Sequence, residues 1–539
     1  MLRSEIVRRI LEARGIAGAD LEAFLNPALE NLAGAEGLPG AVAAADVVLD
    51  AVAARRKIVV FGDYDCDGVC AAAILVRTLS ALGADVSPFL PNRFTEGYGM
   101  SDAAVARMFE NNPGVGLVVT VDNGINSVSQ VADIRARGVS VVVTDHHLPG
   151  DALPDADALV NPKVDAPEAL SNLCGAGVAF MIAGRIVSEA KRRGMYEGPS
   201  IGGPLLVLAG LATVTDVMPL VGQNRILVAE ALKRFDRLAP IGLRELYLRA
   251  ARSGGERHTT RDFSHLLGPR MNAAGRVAKE SGVAALNLAL ADDRESARGF
   301  AMEVDGYNVQ RKAEEQKMVE EALAKIVPDA PAQVIDLPDG HPGVAGIVAA
   351  RVMERIGERS PVCVIAGGHG SARSPDGLNI RDALAACGDV LDSYGGHAAA
   401  AGFVVTSGKV DAFRERLCAV CAGAEFAACE TVDAWIEPSD ATLDLVDELQ
   451  LLEPFGEGNP EPVFGIRNAV FSDVRPLGSD GRHLVATLRG SGLRAVYWNA
   501  GDRVERMRAE GAVPRVLRFR LAESTYGERH VELHLLSAG

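Results

Sequence analysis

The apolar positions in the first half of the chain fall into short runs that end in polar, glycine-containing turns. Three of these runs, residues 58–61, 117–121 and 139–143, are brief and rich in β-branched residues. Those properties predict buried strands. Longer apolar segments at helical spacing lie between them, the first over about residues 69–82. This alternation predicts an α/β domain with a mostly parallel sheet over about residues 46–245.

The remaining patterns predict four further segments. Residues 1–45 are expected to form short helices that lead into the first domain. Residues 246–327 are expected to be a helical connector that ends in one long, charged helix over about 284–327. Glycine-bearing turns mark a second α/β domain at 328–425. Short alternating stretches over 430–539 predict five or so strands in a small barrel.

Carboxylates and imidazoles recur where the predicted strands end. The first run is followed by the letters GDYDCDG, the second by DNG and the third by TDHH, and a further acid follows an apolar segment, 205–214, that is predicted to be a buried helix. The residues concerned are Asp63, Asp65, Asp67, Asp122, Asp145, His146, His147 and Asp216.

This arrangement predicts a metal site. Three acids within five residues repel one another, and a divalent cation neutralises them. Oxygen ligands without cysteine favour Mg²⁺ or Mn²⁺ over Zn²⁺. The first motif alone is also compatible with a solvated acidic turn. Five acids and two histidines at the carboxyl ends of consecutive strands, with Asp216 as a sixth acid, favour the metal, because ligands bind at that edge of open α/β sheets.

Composition and targeting signals indicate a globular protein of the cytoplasm. At 539 residues with 48% hydrophobic content, the chain is long enough for three or four domains. Its eight cysteines are scattered, which is typical of a reducing compartment. Cys418 and Cys421 lie one helical turn apart without an obvious fourth ligand, so we interpret them as structural thiols. We expect a soluble protein, because no apolar run reaches the roughly 18 residues that span a bilayer.

The net charge of −16 argues against a general nucleic-acid binder, because phosphate contacts require cations. Bound divalent ions would cancel part of the acidic charge. Local groups of arginines would have to supply the rest.

The motifs GDYDCDG, TVDNGI, VTDHH, CGAGVAF, TDVMPL and PRMNAAGR follow one another in the order found in the DHH phosphoesterases. The chain resembles in particular the RecJ branch, which consists of single-strand exonucleases that digest DNA from the 5′ end. The resemblance covers nearly the whole chain. It implies a site for two Mn²⁺ or Mg²⁺ ions and 5′→3′ phosphodiester hydrolysis on single-stranded DNA in recombination and repair. It also implies a DHH core, a DHH-associated substrate domain across a cleft, and a C-terminal OB fold.

The resemblance assigns roles to the acidic and histidine residues. The expected ligands of the two ions are Asp65, Asp67, Asp122, His146 and Asp216, with Asp63 close enough to ligate or to orient the others. His147 is assigned to phosphate stabilisation or proton transfer, and Asp145 to the orientation of a histidine.

The resemblance also indicates residues that bind the substrate. Arg93 and Tyr98 lie in a loop rich in Pro and Gly, and Arg276 lies in the polar segment PRMNAAGR within an otherwise helical region. In the second domain the candidates are Ser371, Arg373 and His397, all in glycine-rich segments that allow close approach to a ligand. In the barrel, a mixture of cations and rings is typical of a single-strand platform, with no individual ring assigned: Arg515, Arg518, Arg520, Tyr497, Trp498 and Phe519.

Two alternatives stay open. One is a DHH phosphodiesterase of short oligonucleotides or cyclic dinucleotides, which residues 430–539 argue against. The other is a catalytically inactive scaffold, which the intact ligand set argues against. The chain also departs from the pyrophosphatase branch at Phe61, where that branch has a histidine, so one ion would have fewer protein ligands. By resemblance, the expected partners are single-strand-binding protein and a RecQ-type helicase, and the expected state is a monomer without membrane contact.

Overall fold

The computed structural model describes residues 2–97, 99–251, 257–424, 431–510, 513–524 and 528–538. The chain divides into two compact units. The larger unit consists of Gly34–Asp216 and Arg234–Cys429, and the smaller one of Met1–Ala33, Val217–Lys233 and Glu430–Gly539.

The larger unit begins with a five-stranded, fully parallel sheet. The three strands predicted from the apolar runs are present, and they occupy the middle of the sheet. In spatial order the strands are Val86–Phe89, Lys57–Phe61, Val115–Thr120, Ser140–Thr144 and Ala158–Val160. Numbered along the sequence, the strands therefore lie in the order 2-1-3-4-5. In this doubly wound topology ligands bind beyond the carboxyl ends of the two adjacent strands Lys57–Phe61 and Val115–Thr120. The prediction of a parallel α/β core is confirmed.

Helices pack against this sheet, and a side chain caps the start of some of them. Asp65 caps the second of them by accepting the Gly68 N–H at 3.0 Å. The apolar segment predicted as a buried helix is the helix Gly202–Thr215, whose central residues are fully buried. The helices of this part of the larger unit are Ala41–Ala53, Cys66–Ala81, Asp102–Asn111, Val128–Ala136, Gly175–Arg192, Gly202–Thr215 and Ile241–Ala250, whereas most of the helix Gly222–Leu238 belongs to the smaller unit.

The connector differs from its prediction in two ways. The single helix expected over 284–327 is two helices, Val283–Leu290 and Arg294–Ala324. They are separate because Asp293 caps the second by accepting the N–H groups of Glu295 and Ser296. The segment PRMNAAGR is helical, within Gly268–Val277, and a π-helical turn at Asp262–Leu267 precedes it.

A second, mixed sheet follows in the larger unit. Its strands in spatial order are Gln333–Leu337, Val362–Ala366, His369–Arg373, Ala400–Val405 and Leu391–Gly396. The first two are parallel and the others antiparallel. The helices Ala345–Arg355, Ile380–Ala385 and Val410–Cys421 belong to this α/β domain.

The smaller unit contains the barrel, and it includes the start of the chain. The helix Glu5–Ala13 buries Val7, Ile10 and Leu11 in the same apolar core as the barrel strands. The expectation that the first residues lead into the sheet domain is therefore wrong for residues 1–33. The unit also holds the helices Ala19–Leu25, Leu443–Leu449 and Val504–Glu510.

The barrel closes through one bent strand. The strands Phe464–Ala469 and Phe471–Leu477 are consecutive, and Val470 between them accepts a hydrogen bond from the Arg489 N–H at 2.8 Å. The strand Phe464–Ala469 pairs with Arg515–Ser524 towards one end of the sheet, and Phe471–Leu477 pairs with His483–Leu488 at the other end. The other strands are Ala434–Trp435, His483–Leu488, Arg494–Tyr497, Arg515–Ser524 and His530–Ala538. The prediction of an OB-like barrel is confirmed, with seven strands rather than five.

Within the described residues, no single helix combines the length and apolar character needed to cross a bilayer. The bent pair Leu29–Gly37 and Ala41–Ala53 meets that test by length and composition only.

Candidate active site

Asp67 is held in place by the start of another helix. Its Oδ2 accepts the Gly175 N–H at 2.7 Å and its Oδ1 accepts the Ala176 N–H at 2.8 Å. These are N–H groups of the first turn of Gly175–Arg192, which have no partner inside their own helix. The positive end of the helix dipole also favours a carboxylate there. Asp67 is thus oriented by backbone atoms, and it is only 2% exposed.

Asp122 lies directly beside the same helix start. Its backbone adopts a left-handed conformation with φ of 59°. A Cβ added at Gly175 would lie 2.6 Å from the Asp122 Cβ, so only glycine fits there. The Gly175–Ala176–Gly177 turn therefore serves both carboxylates. The sequence analysis did not reveal the contact of this turn with Asp67.

His146 brings three of the carboxylates together. Its Nε2 lies 3.0 Å from Asp122 Oδ1, 3.5 Å from Asp67 Oδ2 and 3.7 Å from Asp216 Oδ2. Burial lowers the pKa of His146. A neutral imidazole surrounded by carboxylate oxygens is a suitable ligand for a divalent cation.

His147 is oriented by Asp145. The Asp145 Oδ1 contacts the His147 Nδ1 at 2.7 Å and accepts the N–H groups of His146 and His147. Its Oδ2 accepts the Ile125 N–H at 2.9 Å. Burial alone would lower the pKa of His147, but the Asp145 hydrogen bond and the charges of Asp145, Asp216 and Asp67 together outweigh it and raise the pKa to about 9. Burial would raise the pKa of Asp145, but its bonds to His147 lower it.

The other acids are buried together and resist ionisation. Burial and the Asp65 charge raise the pKa of Asp63 to about 8. Burial and the Asp67 charge raise the pKa of Asp216 to about 9, and both effects raise the pKa of Asp122 well above its ordinary value. Without a cation these carboxyl groups retain protons, and a bound cation would remove the repulsion between their charges.

The donor set fits divalent cations. Asp63 Oδ2 and Asp122 Oδ1 are buried oxygens without a hydrogen-bond donor, so each has a lone pair available to a metal. Within the described part of the chain, two groups have ligand atoms within 4.8 Å of one another: Asp122, His146 and His147, and Asp67, His146 and Asp216. Both contain only oxygen and imidazole ligands, which suit Mn²⁺ or Mg²⁺.

Three arginines form a cationic group next to the first acidic motif. The Arg93 guanidinium lies 5.4 Å from the centre of the Tyr64 ring. Burial lowers the pKa of Arg276 to about 10, and the nearby charges of Arg93 and Arg373 act in the same direction while that of Asp65 opposes them. We call Arg93, Arg276 and Arg373 the arginine cluster. The charges of Arg93 and Arg373 disfavour that of Arg276, and a phosphate bound by these residues would offset the repulsion.

The helix of PRMNAAGR holds the acidic motif in place. Asn272 Oδ1 accepts the Cys66 N–H at 2.8 Å. A Cβ at Gly275 would lie 2.6 Å from the Tyr64 carbonyl oxygen. Arg276 donates from Nη1 to the Gly343 carbonyl at 3.2 Å, which connects this helix to the second domain.

The other residues predicted to bind the substrate do not all lie together. Ser371 and Arg373 lie two apart on the strand His369–Arg373, and both approach Gly346. His397 is exposed at the turn before Ala400, whose carbonyl accepts its N–H. Among the described residues, no hydrogen bond or ion pair joins the His397 side chain to the acidic group. Tyr98 lies outside the described residues.

The barrel residues also differ in their environment. Phe519 is fully buried in the barrel core, and Arg515 is buried in an ion pair with Glu510. Neither belongs to an outer platform. Trp498 is half exposed, as is Trp435, which sequence reasoning missed. The guanidinium of Arg467 lies 4.1 Å from the centre of the Trp435 ring.

The long helix carries another residue that the sequence pattern missed. Arg311 lies in the charged helix predicted from the sequence, but it is buried and donates to Asn308 Oδ1 and Glu315 Oε2. A periodicity argument could not find it, because the helix has charged residues on all sides.

Comparison with known proteins places this fold and site in the DHH class. The model of the DHH family N-terminal domain matches residues 57–201, that of the DHHA1 domain matches 329–423, and that of the RecJ OB domain matches 432–536. These matches cover the parallel sheet, the mixed sheet and the barrel.

Individual related proteins define the family more narrowly than the domain matches do. Single-stranded-DNA-specific exonuclease RecJ of Thermus thermophilus is 38% identical, over 86% of this chain and 66% of the relative. RecJ of Salmonella typhimurium is 35% identical, over 85% of this chain and 82% of the relative. The crystal structure of Thermus thermophilus RecJ in complex with Mn²⁺ superimposes with a TM-score of 0.84 at 33% identity, over 99% of this chain and 76% of that one. The chain belongs to the RecJ family.

The chain is shorter than some of these relatives. It spans 60% of the length of the Bacillus subtilis RecJ and 66% of the Thermus protein.

Proposed function

We propose that the protein is a metal-dependent exonuclease that hydrolyses single-stranded DNA from the 5′ end. One observation carries this proposal. The His146 Nε2 lies within 3.0 to 3.7 Å of carboxylate oxygens from three aspartates, and a group of arginines lies beside these residues. Acids for a metal and cations for a phosphate, in one place, suit phosphodiester hydrolysis. The related proteins named single-stranded-DNA-specific exonucleases support the choice of substrate.

Each group of residues has a distinct task in this proposal. Bound Mn²⁺ or Mg²⁺ ions would supply a hydroxide nucleophile and stabilise charge on the phosphate. Asp65, Asp67, Asp122, His146 and Asp216 would hold two ions, with Asp63 ligating or orienting the others.

The remaining polar residues act on the substrate. His147, whose pKa is raised by Asp145, would hold a proton at Nε2 and donate it to the phosphate or the leaving oxygen. The arginine cluster would bind the substrate phosphate, with Ser371 as a further donor. Phe61 occupies the position of a histidine in the pyrophosphatase branch, so one ion would have fewer protein ligands.

The proposed setting follows from family membership. We infer a role in DNA recombination and repair in the cytoplasm, as a monomer, with single-strand-binding protein and a RecQ-type helicase as partners. Sedimentation of the purified chain with and without each partner would test these assignments.

The activity is tested with single strands labelled at one end or the other, incubated with Mn²⁺. A labelled mononucleotide should appear at once from the 5′-labelled strand, whereas the 3′-labelled strand should shorten progressively. Circular single strands should survive. The control is Asp122→Asn, which should release nothing. Release from the 3′ end first, or cutting of circles at a comparable rate, would refute the proposal. Hydrolysis of only di- and trinucleotides would favour the short-oligonucleotide alternative.

A further inference from the structure

An exposed aromatic ring lies at the junction of the two α/β domains of the larger unit. Phe94 belongs to the loop after the strand Val86–Phe89, and its side chain is 43% exposed. Its ring meets the ring of His341 edge to face, with centroids 5.7 Å apart and planes at 87°. His341 precedes the helix Ala345–Arg355 of the second domain. The pair therefore connects the two domains through two partly exposed rings.

The Phe94 loop is fixed although it is exposed. Asn92 Oδ1 accepts the Phe94 N–H at 3.0 Å, and Asn92 Nδ2 donates to the Lys279 carbonyl at 2.7 Å. Glu96 accepts the Asn92 N–H at 2.7 Å and is ion-paired with Arg107. This network positions a large apolar side chain in solvent. A ring held in solvent in this way gains little stability from burial.

His341 is fixed with equal firmness. Its Nδ1 accepts the Gly343 N–H at 3.1 Å and caps the turn Pro342–Val344. This hydrogen bond fixes the orientation of the ring. A Cβ at Gly343 would lie 2.2 Å from the Arg276 carbonyl oxygen, so the turn packs directly on the backbone of Arg276.

The position of the two rings indicates their ligand. Arg93 immediately precedes Phe94, and Arg276 contacts the turn that follows His341. A nucleotide whose phosphate lies in the arginine cluster would carry its base past these rings. A flat, apolar base face is the ligand that a rigid aromatic pair recognises without regard to sequence.

We propose that Phe94 and His341 form a base clamp, which stacks on one unpaired nucleobase next to the phosphate held by the arginine cluster. This inference rests on the proposed function. The clamp makes recognition depend on the presence of a base as well as a phosphate. It disfavours a paired base, because the partner strand would occupy the space beside the rings.

The test uses 5′-phosphorylated single strands that carry an abasic tetrahydrofuran residue at each of the first four positions in turn. For the wild-type chain, kcat/KM should fall roughly five- to hundredfold when the abasic residue occupies one particular position. The variant Phe94→Leu should lose a similar factor on the normal strand and nothing further on that abasic strand. Phe94→Trp should keep the discrimination. His341→Asn retains a capping acceptor but loses the ring, so it should behave like Phe94→Leu.

The matched control is Phe109→Leu, the same change in a half-buried ring of the first domain that lies under Arg137. It should discriminate as the wild type does. Equal sensitivity of wild type and Phe94→Leu to the abasic residue, at every position, would overturn the clamp.

Binding in EDTA separates the clamp from the proposed function. The affinity of the full chain for the same strands should show the same single sensitive position. Base-dependent binding without hydrolysis in Mn²⁺ would refute the exonuclease and retain the clamp. Hydrolysis in Mn²⁺ together with binding that does not depend on the abasic residue would refute the clamp and retain the exonuclease.

Discussion

The carboxylate of Asp67 lies against the first peptide group of the helix that begins at Gly175, with 2.7 Å between Asp67 Oδ2 and the Gly175 nitrogen. The same glycine leaves room for Asp122, because a Cβ there would lie 2.6 Å from the Asp122 Cβ. Gly175 thus orients Asp67 through its backbone N–H, and its lack of a side chain leaves space for Asp122. Three segments far apart in sequence meet at this point.

This relationship predicts the effect of Gly175→Ala. The added methyl group displaces Asp122 while the backbone N–H that binds Asp67 is retained. We expect Mn²⁺ binding to weaken at least tenfold and hydrolysis to fall by about a hundredfold, because small displacements of reacting groups are costly. Calorimetric titration with Mn²⁺ measures the first effect. Gly177→Ala is the control, since its Cβ would meet the Leu173 side chain at 3.3 Å and Cys174 Sγ at 3.7 Å but neither Asp67 nor Asp122. Equal metal affinity in both variants would contradict this account.

The metal-free protein should lose stability as the pH rises from about 4, the unfolded-state pKa of a carboxyl group, to about 9. Burial and the Asp65 charge raise the folded-state pKa of Asp63 to about 8, and burial with the Asp67 charge raises that of Asp216 to about 9. A carboxyl group with a raised pKa contributes stability that is complete below its unfolded-state pKa and is lost as the pH rises through the folded-state value. Each retained proton corresponds to about 1.4 kcal/mol per pH unit.

Thermal midpoints in EDTA at several pH values measure this effect. The decline should be shallower in Asp63→Asn, which has no proton to release. In saturating Mn²⁺ the decline should disappear, because a cation replaces the retained protons. The same pH dependence in wild type and Asp63→Asn would show that Asp63 is ionised in the metal-free state.

Arg373→Ala should weaken the substrate interaction without affecting the metal. Loss of a charged hydrogen-bond donor costs about 1.5–3 kcal/mol, or roughly ten- to hundredfold in kcat/KM. Mn²⁺ affinity should be unchanged. Arg381→Ala removes the same charge from an exposed position of the same domain, and it should leave kcat/KM within about twofold. A fall in Mn²⁺ affinity for Arg373→Ala would instead mean that this residue supports the metal site.

The barrel is best tested by point variants. Deletion of residues 430–539 would expose Val7, Ile10 and Leu11, which share the barrel core. Trp435→Ala and Arg467→Ala remove the exposed ring and its cation. Binding of long single strands should weaken more than that of short ones, and Arg467→Ala should flatten the log–log salt slope by about 0.7.

This measurement uses an Asp122→Asn background to prevent digestion. Arg506→Ala is the control, because that guanidinium is exposed and ion-paired with Glu510. An unchanged slope and affinity in Arg467→Ala would assign the barrel to another task, such as the docking of a protein.

The sequence by itself determined the elements and their chemistry. Strand length and β-branching were enough to locate the three central strands, because a buried strand needs a continuous apolar run. The acids after Phe61, Val121 and Thr144 predicted a metal site, because parallel strands end at one edge of a sheet. The motif order identified the family.

Only the tertiary structure decided which atoms meet. The partners of Asp67 are backbone N–H groups more than a hundred residues away, and a peptide group has no sequence signal. The Phe94–His341 pair joins segments that pattern analysis treats as separate loops. Helix periodicity could not separate Arg311 from its solvent-facing neighbours. Closure of the barrel and the packing of residues 1–33 with it depend on contacts between distant segments, which local propensity does not encode.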